Sequence, residues 1–193
     1  MANMCFTSWA LIGNARELDP IRERLETLLE SRRPERPTLS ETLSALGVGP
    51  PAGTDLASEL LSVKQDGGIL RFDTEDSWNP KTEAVGLLLK EHPGLRIRFL
   101  AENFEDDLFV TNDREGKCFT TRYALDFETS VAEGDPLNYF DNEEQLLEFV
   151  RETFGEEMSS ADEVESDLEE KLLDRDENAF VSFHEIDYTD ALR

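Results

Sequence analysis

The acidic residues of this 193-residue chain are concentrated in its second half, and that distribution constrains how the chain can fold. Residues 1–100 contain 15 acidic and 12 basic residues, whereas residues 101–193 contain 29 acidic and only 7 basic ones. The chain therefore has a near-neutral N-terminal half, with a net charge of -3, and a strongly acidic C-terminal half, with a net charge of -22. The net charge of -25 also argues against a basic nucleic-acid groove and against binding to anionic membranes.

The remaining composition is typical of a folded protein. Hydrophobic residues make up 38% of the chain and include 12 phenylalanines, enough for a core. No apolar run approaches the roughly 20 residues of a membrane helix, and the N-terminus has neither the basic nor the apolar segment of a secretion signal. The two cysteines, Cys5 and Cys118, are ordinary thiols for a reducing compartment, so we expect a cytoplasmic protein.

Strand and helix signals alternate through the first two thirds of the chain, which predicts the α+β class. The signals are a strand over Cys5–Ile12, a helix after Asp19-Pro20, a capping box at Thr38–Glu41, a strand over Ile69–Asp73, a helix after Asn79-Pro80, and a strand over Leu95–Phe99. Two further strands, Leu108–Thr111 and Cys118–Tyr123, flank Asn112–Gly116 and predict a hairpin.

The C-terminal part carries two amphipathic helices and one strand. Asn142 or Asp141 caps the first helix, the capping box Ser160–Glu163 opens the second, and the strand Phe180–Ile186 is expected to return to the sheet. We therefore predict a core over residues 1–140, with a helical insertion or linker at 34–66, and an acidic helical extension over residues 141–193.

Two short segments resemble a known family. The start Met1-Ala2-Asn3-Met4-Cys5 is similar to the Met-Pro-Asn-Trp-Cys start of the YubB-like proteins. Phe72-Asp73-Thr74, followed by Trp78 and Pro80, resembles the Phe-x-Thr-x-Trp-x-Pro segment of that family, with a longer gap between Thr74 and Trp78. These are uncharacterised proteins of plasmids and phages. The resemblance implies a ferredoxin-like split β-α-β core with an antiparallel or mixed sheet, and an origin in a mobile element, but it supplies no catalytic residues.

The segment from Phe72 to Trp78 has two interpretations. In the structural one, Phe72 is a core strand residue and Trp78 packs over the start of the following helix. In the functional one, Trp78 lines a binding pocket together with Asp73 or Asp76, and the segment is a partner-binding surface or the site of an unrecognised enzyme.

The acidic helix after Ser160 is the second candidate site. Its candidate partner-binding residues are Asp162, Glu163, Glu165, Asp167, Glu169 and Glu170. They form either an ordinary solvated helix face or a surface that copies the charge of DNA, which presents one phosphate per ~1.7 Å of axis. A salt-adapted proteome would also produce an acidic, lysine-poor chain, because high salt screens self-repulsion.

No other pattern predicts catalysis, a metal or a cofactor. The only histidines are His92 and His184, and no elbow or oxyanion motif accompanies a Cys–His pair. We predict a non-enzymatic, acidic protein-interaction module with a protein partner and without direct nucleic-acid binding. The alternatives are a DNA mimic that inhibits a host nuclease or another DNA-binding protein, and an enzyme using the Asp73–Trp78 region. The sequence leaves the partner and the oligomeric state open.

Overall fold

A computed structural model describes residues 3–49 and 57–192 of the chain, and its α+β class is as expected. The helices and strands of the described residues follow in chain order: β1 (Met4–Ile12), α1 (Ala15–Arg32), α2 (Leu39–Ala45), β2 (Ser58–Asp66), β3 (Ile69–Ser77), α3 (Thr82–Glu91), β4 (Arg96–Asn103), β5 (Leu108–Thr111), β6 (Tyr123–Glu128), β7 (Leu137–Phe140), α4 (Glu143–Phe154), α5 (Ala161–Leu173), β8 (Phe180–Glu185) and β9 (Asp187–Tyr188). No helix among these residues is both long enough and apolar enough to cross a membrane.

The chain divides into two compact units. Unit 1 comprises residues 1–119 and 188–193, and unit 2 comprises residues 120–187. Each unit is built around its own cluster of buried hydrophobic side chains and its own sheet.

The sheet of unit 1 has the strand order β2-β3-β1-β4-β5-β9. The pairs β2–β3, β1–β3, β1–β4 and β4–β5 are antiparallel. Trp9, at the centre of β1, stands opposite Phe72 on one neighbouring strand and Phe99 on the other. The three rings pack together, with the Trp9 centroid 6.0 Å from that of Phe72 and 5.4 Å from that of Phe99. Burial of these rings, with apolar residues of α1, α2 and α3, forms the core of the unit.

The sheet of unit 2 has the strand order β7-β6-β8, and both pairings are antiparallel. Phe127 of β6 packs edge-on against Phe154 of α4, with ring centroids 4.9 Å apart. Leu146 and Val150 of α4 and Leu168 of α5 are completely buried in the same cluster. The two helices therefore turn their apolar stripes toward the strands, as the sequence pattern predicts.

Two predicted helix starts are wrong. Helix α1 begins at Ala15, because the Asn14 side chain accepts a hydrogen bond from the Glu17 amide, and Pro20 lies inside the helix instead of at its first position. Helix α3 begins at Thr82 instead of directly after Asn79. Its first α-helical hydrogen bond runs from the Val85 amide to the carbonyl of Lys81, the residue before the helix. The predicted caps at Thr38 and Ser160 are confirmed, and of the two candidates for α4 the cap is Asn142 and not Asp141.

The predicted hairpin across Asn112–Gly116 is wrong. Strand β5 pairs with β4, and β6 belongs to the other sheet. The Asp113 carboxylate accepts hydrogen bonds from the amides of Cys118 (2.6 Å) and Phe119 (3.0 Å), so the segment after β5 folds into an internally bonded loop instead of a strand.

The predicted division of the chain also differs from the observed one. The boundary falls after Phe119 and not after residue 140, because β6 and β7 supply Leu125, Phe127 and Phe140 to the core of the acidic helices. The predicted last strand is confirmed as β8, but it pairs with β6 in the smaller sheet, and only the short β9 joins the larger one. The segment 34–66 contains the short helix α2 together with the edge strand β2, and residues 50–56 of the predicted linker lie outside the described residues.

Candidate functional site

Asp73 and Asp76 lie on opposite faces of the larger sheet. They are three positions apart on β3, and side chains alternate between the two faces of a strand. Asp73 accepts hydrogen bonds from Ser8 Oγ (2.8 Å) on β1 and from Ser62 Oγ (2.5 Å) on β2. Its carboxylate thus links three neighbouring strands.

Asp76 is completely buried on the helix-covered face. Its carboxylate accepts hydrogen bonds from Thr7 Oγ1 (2.8 Å), Thr74 Oγ1 (3.0 Å) and Ser58 Oγ. Burial raises the pKa of this carboxyl above its ordinary value, although the three hydroxyl donors act in the opposite direction. The group belongs to a closed polar cluster inside the core.

The same cluster includes a thiol and an indole. Trp9 Nε1 donates to Thr74 Oγ1 (2.9 Å), and Cys5 Sγ lies 3.8 Å from Thr7 Oγ1. Burial raises the pKa of Cys5 to about 11, and burial also raises the pKa of Cys118. A raised thiol pKa disfavours the thiolate that nucleophilic catalysis requires, so neither cysteine is prepared as a nucleophile.

Trp78 has an unusual backbone conformation and an exposed ring. Its φ angle is +67°, in the left-handed region that non-glycine residues rarely adopt, and 47% of its surface is exposed. Its amide donates to the Asn3 carbonyl (2.8 Å), and its carbonyl accepts from the Nδ2 of the buried Asn103 (2.9 Å). The conformation is therefore fixed from both sides. Because Asp73 and Asp76 lie on opposite faces of the sheet, the two carboxylates cannot line one pocket together with Trp78.

The six predicted acids of α5 divide into two groups. Ala161, Val164, Leu168 and Leu172 form the buried stripe of the helix. Asp162, Glu165, Glu169 and Glu170 are exposed on the other side, and Glu163 and Asp167 are partly buried at the margin.

Two of these acids accept hydrogen bonds from backbone amides, and Asp167 accepts one from Ser166 Oγ (2.5 Å). Glu163 accepts hydrogen bonds from the Ser159 amide (2.7 Å) and from Ser159 Oγ (2.6 Å), and these bonds lower the pKa of Glu163. Glu169 Oε1 accepts from the Val181 amide of β8 at 3.3 Å. Asp162, Glu165 and Glu170 remain as the outward-facing carboxylates of the helix.

Helix α4 contributes acids that the sequence analysis did not name as site residues. Glu144, Glu148 and Glu152 are exposed along it, while Leu146 and Val150 are completely buried. The sequence between Asn142 and Phe154 contains the pattern that identifies them, because these three acids recur every four residues. We define the acidic helical surface as Glu144, Glu148 and Glu152 of α4 together with Asp162, Glu165 and Glu170 of α5.

The cations of unit 2 leave most of this surface uncompensated. The unit contains 22 acidic residues and only four basic ones. Arg175 donates to the Phe154 carbonyl (2.7 Å) and pairs with Glu156 (3.0 Å), and Arg151 lies 3.4 Å from Glu148. Within the described residues, no group of three or more His, Cys, Asp and Glu side chains is placed to hold a metal ion.

Comparison with protein-family models, with curated proteins and with solved structures gave no match for this chain. The resemblance to the YubB-like proteins stays a prediction based on its two motifs.

Proposed function

We propose that this protein is a non-enzymatic, acidic protein-interaction module whose binding surface is the acidic helical surface of unit 2. The observation that carries the proposal is the excess of 22 acids over four bases within 68 residues. Because the buried stripes of α4 and α5 fix the helices on the sheet, the carboxylates are presented by an ordered scaffold.

A basic protein surface is the partner that this arrangement favours. Closely spaced carboxylates create a negative potential that raises the association rate with cationic partners and repels anionic ones. The same potential opposes direct contact with nucleic acids. Part of the binding free energy would come from the release of counterions, so affinity should fall as salt concentration rises.

A DNA mimic is the second candidate, favoured by the spacing of the acids on α5. Asp162, Glu165 and Glu169 recur every three or four residues, so their Cβ atoms lie along one side of the helix about 5 Å apart, with one oxygen of Glu169 also accepting from the Val181 amide. A row of carboxylates at this spacing can enter the basic groove of a nuclease or another DNA-binding protein. A mobile element benefits from such an inhibitor, in agreement with the YubB-like resemblance.

We further propose that residues 3–103 of unit 1 adopt a ferredoxin-like core. The chain order β1-α1-β2-β3-α3-β4 supports this assignment, with α2 inserted between α1 and β2. The order β2-β3-β1-β4 within the sheet and the antiparallel pairing of these strands support it as well. In this arrangement each β-α-β crossover skips one strand, which is the split β-α-β pattern.

The test compares two isosteric triple variants of the full chain. D162N/E165Q/E170Q neutralises three exposed acids of the acidic helical surface, and E30Q/E83Q/E91Q neutralises three exposed acids of unit 1. Both variants lose the same amount of negative charge. Each immobilised chain is exposed to a lysate and eluted with a salt gradient, and the eluted basic proteins are identified.

We expect the unit 2 variant to release basic proteins at lower salt than the parent chain, and the unit 1 variant to match the parent. An equal shift for both variants would mean that net charge alone is responsible, and the proposed surface would be wrong. Competition with duplex DNA for a recovered partner separates the two candidates: a DNA mimic displaces DNA from the partner, whereas another interaction module leaves the DNA bound.

A further inference from the structure

Unit 1 contains a cavity of about 790 Å³ that is lined by cationic side chains, although the chain as a whole is strongly negative. Three arginines line it, Arg96 and Arg98 of β4 and Arg114 of the loop after β5. Leu89 of α3, Leu95 and Leu192 supply apolar wall. Its volume falls within the range of pockets that bind small organic molecules.

The cavity is assembled by a buried asparagine. Asn112 Nδ2 donates to the Ile97 carbonyl (3.2 Å) and to the Ala191 carbonyl (2.9 Å), and its Oδ1 accepts from the Phe99 amide (2.9 Å). These bonds tie the loop that carries Arg114, and the segment that contains Ala191 and Leu192, to β4. The walls are therefore held in place without a ligand.

The two carboxylates at the cavity already have other partners. Asp113 is only 1% exposed and accepts from two backbone amides, with one oxygen 3.8 Å from Arg98 Nε. Glu115 forms an ion pair with Lys117, whose ammonium lowers the pKa of Glu115. The three arginines of the lining exceed these two carboxylates by one charge, so the cavity keeps a net positive charge.

The two outer arginines are placed to accept an anion. Arg98 is anchored by donating from Nη1 to the Ile97 carbonyl (3.2 Å), whereas the Arg96 side chain is exposed. The guanidinium of Arg114 lies 5.2 Å from the centroid of the Tyr188 ring, which orients its planar face. Guanidinium groups bind carboxylates and phosphates through paired hydrogen bonds.

We propose that this cavity binds a small organic anion, with its carboxylate or phosphate group on Arg96 and Arg114 and its apolar part against Leu89, Leu95 and Leu192. In a chain with a net charge of -25, an anion reaches the protein only where local cations overcome the general repulsion. The site lies entirely within unit 1 and does not depend on the protein-interaction role proposed for unit 2.

The test is a titration of the full chain, followed by NMR of its backbone amides and arginine Nε–H groups. The probes are benzoate, phenyl phosphate, inorganic phosphate and the neutral benzyl alcohol. We expect saturable shifts at Arg96, Arg98 and Arg114 with at least one aromatic anion, and no saturable shift with benzyl alcohol. A response to benzoate alone identifies a carboxylate ligand, and a response to phenyl phosphate alone identifies a phosphate ligand.

Arg96→Gln and Arg114→Gln should each weaken binding at least tenfold, while the matched control Arg24→Gln on α1 should leave it within twofold. The amide spectrum of each variant verifies that it is folded. Absence of a saturable shift up to millimolar probe concentrations, or equal affinity for inorganic phosphate and phenyl phosphate, would overturn the proposal.

Discussion

The two units contain the same number of acidic residues, 22 each, and differ in what surrounds them. Unit 1 spreads its acids over 125 residues and balances them with 15 bases, whereas unit 2 confines them to 68 residues with four bases. In unit 1 the carboxylates of Asp73 and Asp76 join neighbouring strands. In unit 2 the helices α4 and α5 carry ten of the 22 acids, and the other twelve lie in its strands and loops. The acidity of unit 2 thus reflects the scarcity of cations as much as the number of acids.

Asp76 of unit 1 and Asp176 of unit 2 illustrate this difference in the surroundings of a carboxylate. Asp76 of unit 1 is buried among hydroxyl donors, and its pKa is raised because burial outweighs the hydrogen bonds. Asp176 of unit 2 lies near the surface and accepts from the Ser130 amide (2.6 Å) and the Asn178 amide (3.1 Å). These amides, together with Ser130 Oγ, lower the pKa of Asp176 to about 2. The pKa of an aspartate is therefore raised in one unit by burial and lowered in the other by hydrogen bonds from backbone amides and a hydroxyl.

The largest expected effect concerns the scaffold of the acidic helical surface. Leu168→Ala removes a completely buried side chain from α5 and should lower the free energy of unfolding by about 3 kcal/mol. Leu173→Ala, on the same helix but 43% exposed, should change it by no more than about 0.5 kcal/mol. Urea unfolding followed by far-UV circular dichroism measures both. Equal effects would show that α5 is not held by its apolar stripe.

A smaller effect is expected at Asp76. Asp76→Ala leaves three buried hydroxyls without their acceptor and should lower the free energy of unfolding by about 2 kcal/mol. Asp76→Asn should cost less, because the amide oxygen still accepts a hydrogen bond and the hydroxyls can rotate.

The pH dependence of the Asp76 variants checks the sign of the pKa shift. Because the folded-state pKa of Asp76 lies above the unfolded value of about 3.9, its contribution to stability is greatest at acid pH. That contribution decreases as pH rises through the folded-state pKa. Urea unfolding at a series of pH values should show this decrease in the parent chain and a flatter profile in Asp76→Asn. A steeper profile in the variant would reverse the assigned sign.

The smallest effect should come from Asp176, which is partly exposed. Its folded-state pKa of about 2 lies below the unfolded value, so its contribution is complete above about pH 4 and is lost as pH falls toward 2. Asp176→Asn should therefore be less stable than the parent at neutral pH and should lose less stability on acidification. Acid titrations of the two chains provide the measurement, and parallel curves would contradict the assignment.

Local signals in the sequence predicted local structure well. The caps at Thr38 and Ser160, and Asn142 as one of two candidates, are predicted correctly because a capping side chain bonds within its own first turn. The Asp19-Pro20 pair predicts too late a start for α1. Asn14 followed by Glu17 is a capping signal of the same kind, and it marks the observed start. The opposite orientations of Asp73 and Asp76 follow from strand alternation alone.

Long-range features were not predictable from the same patterns. The alternation of Arg96 and Arg98 with apolar residues is visible in the sequence. The position of Arg114 next to them depends on the hydrogen bonds that Asn112 donates to the Ile97 and Ala191 carbonyls. The partner of β5 was misassigned for the same reason, because strand propensity does not specify which strand will pair. The arginine-lined cavity therefore could not be recognised before the tertiary structure.

The positions of the two tryptophans allow the unfolding of unit 1 to be followed by intrinsic fluorescence. Trp9 is completely buried between aromatic rings, and Trp78 is 47% exposed, so the first should emit at shorter wavelength and the second should be quenched by iodide or acrylamide. Both belong to unit 1, whereas unit 2 contains only tyrosines, Tyr123 and Tyr139, as phenolic or indole fluorophores. Excitation selective for tryptophan will consequently follow unfolding of unit 1 alone, and Trp78→Phe will leave an emission that comes only from its core.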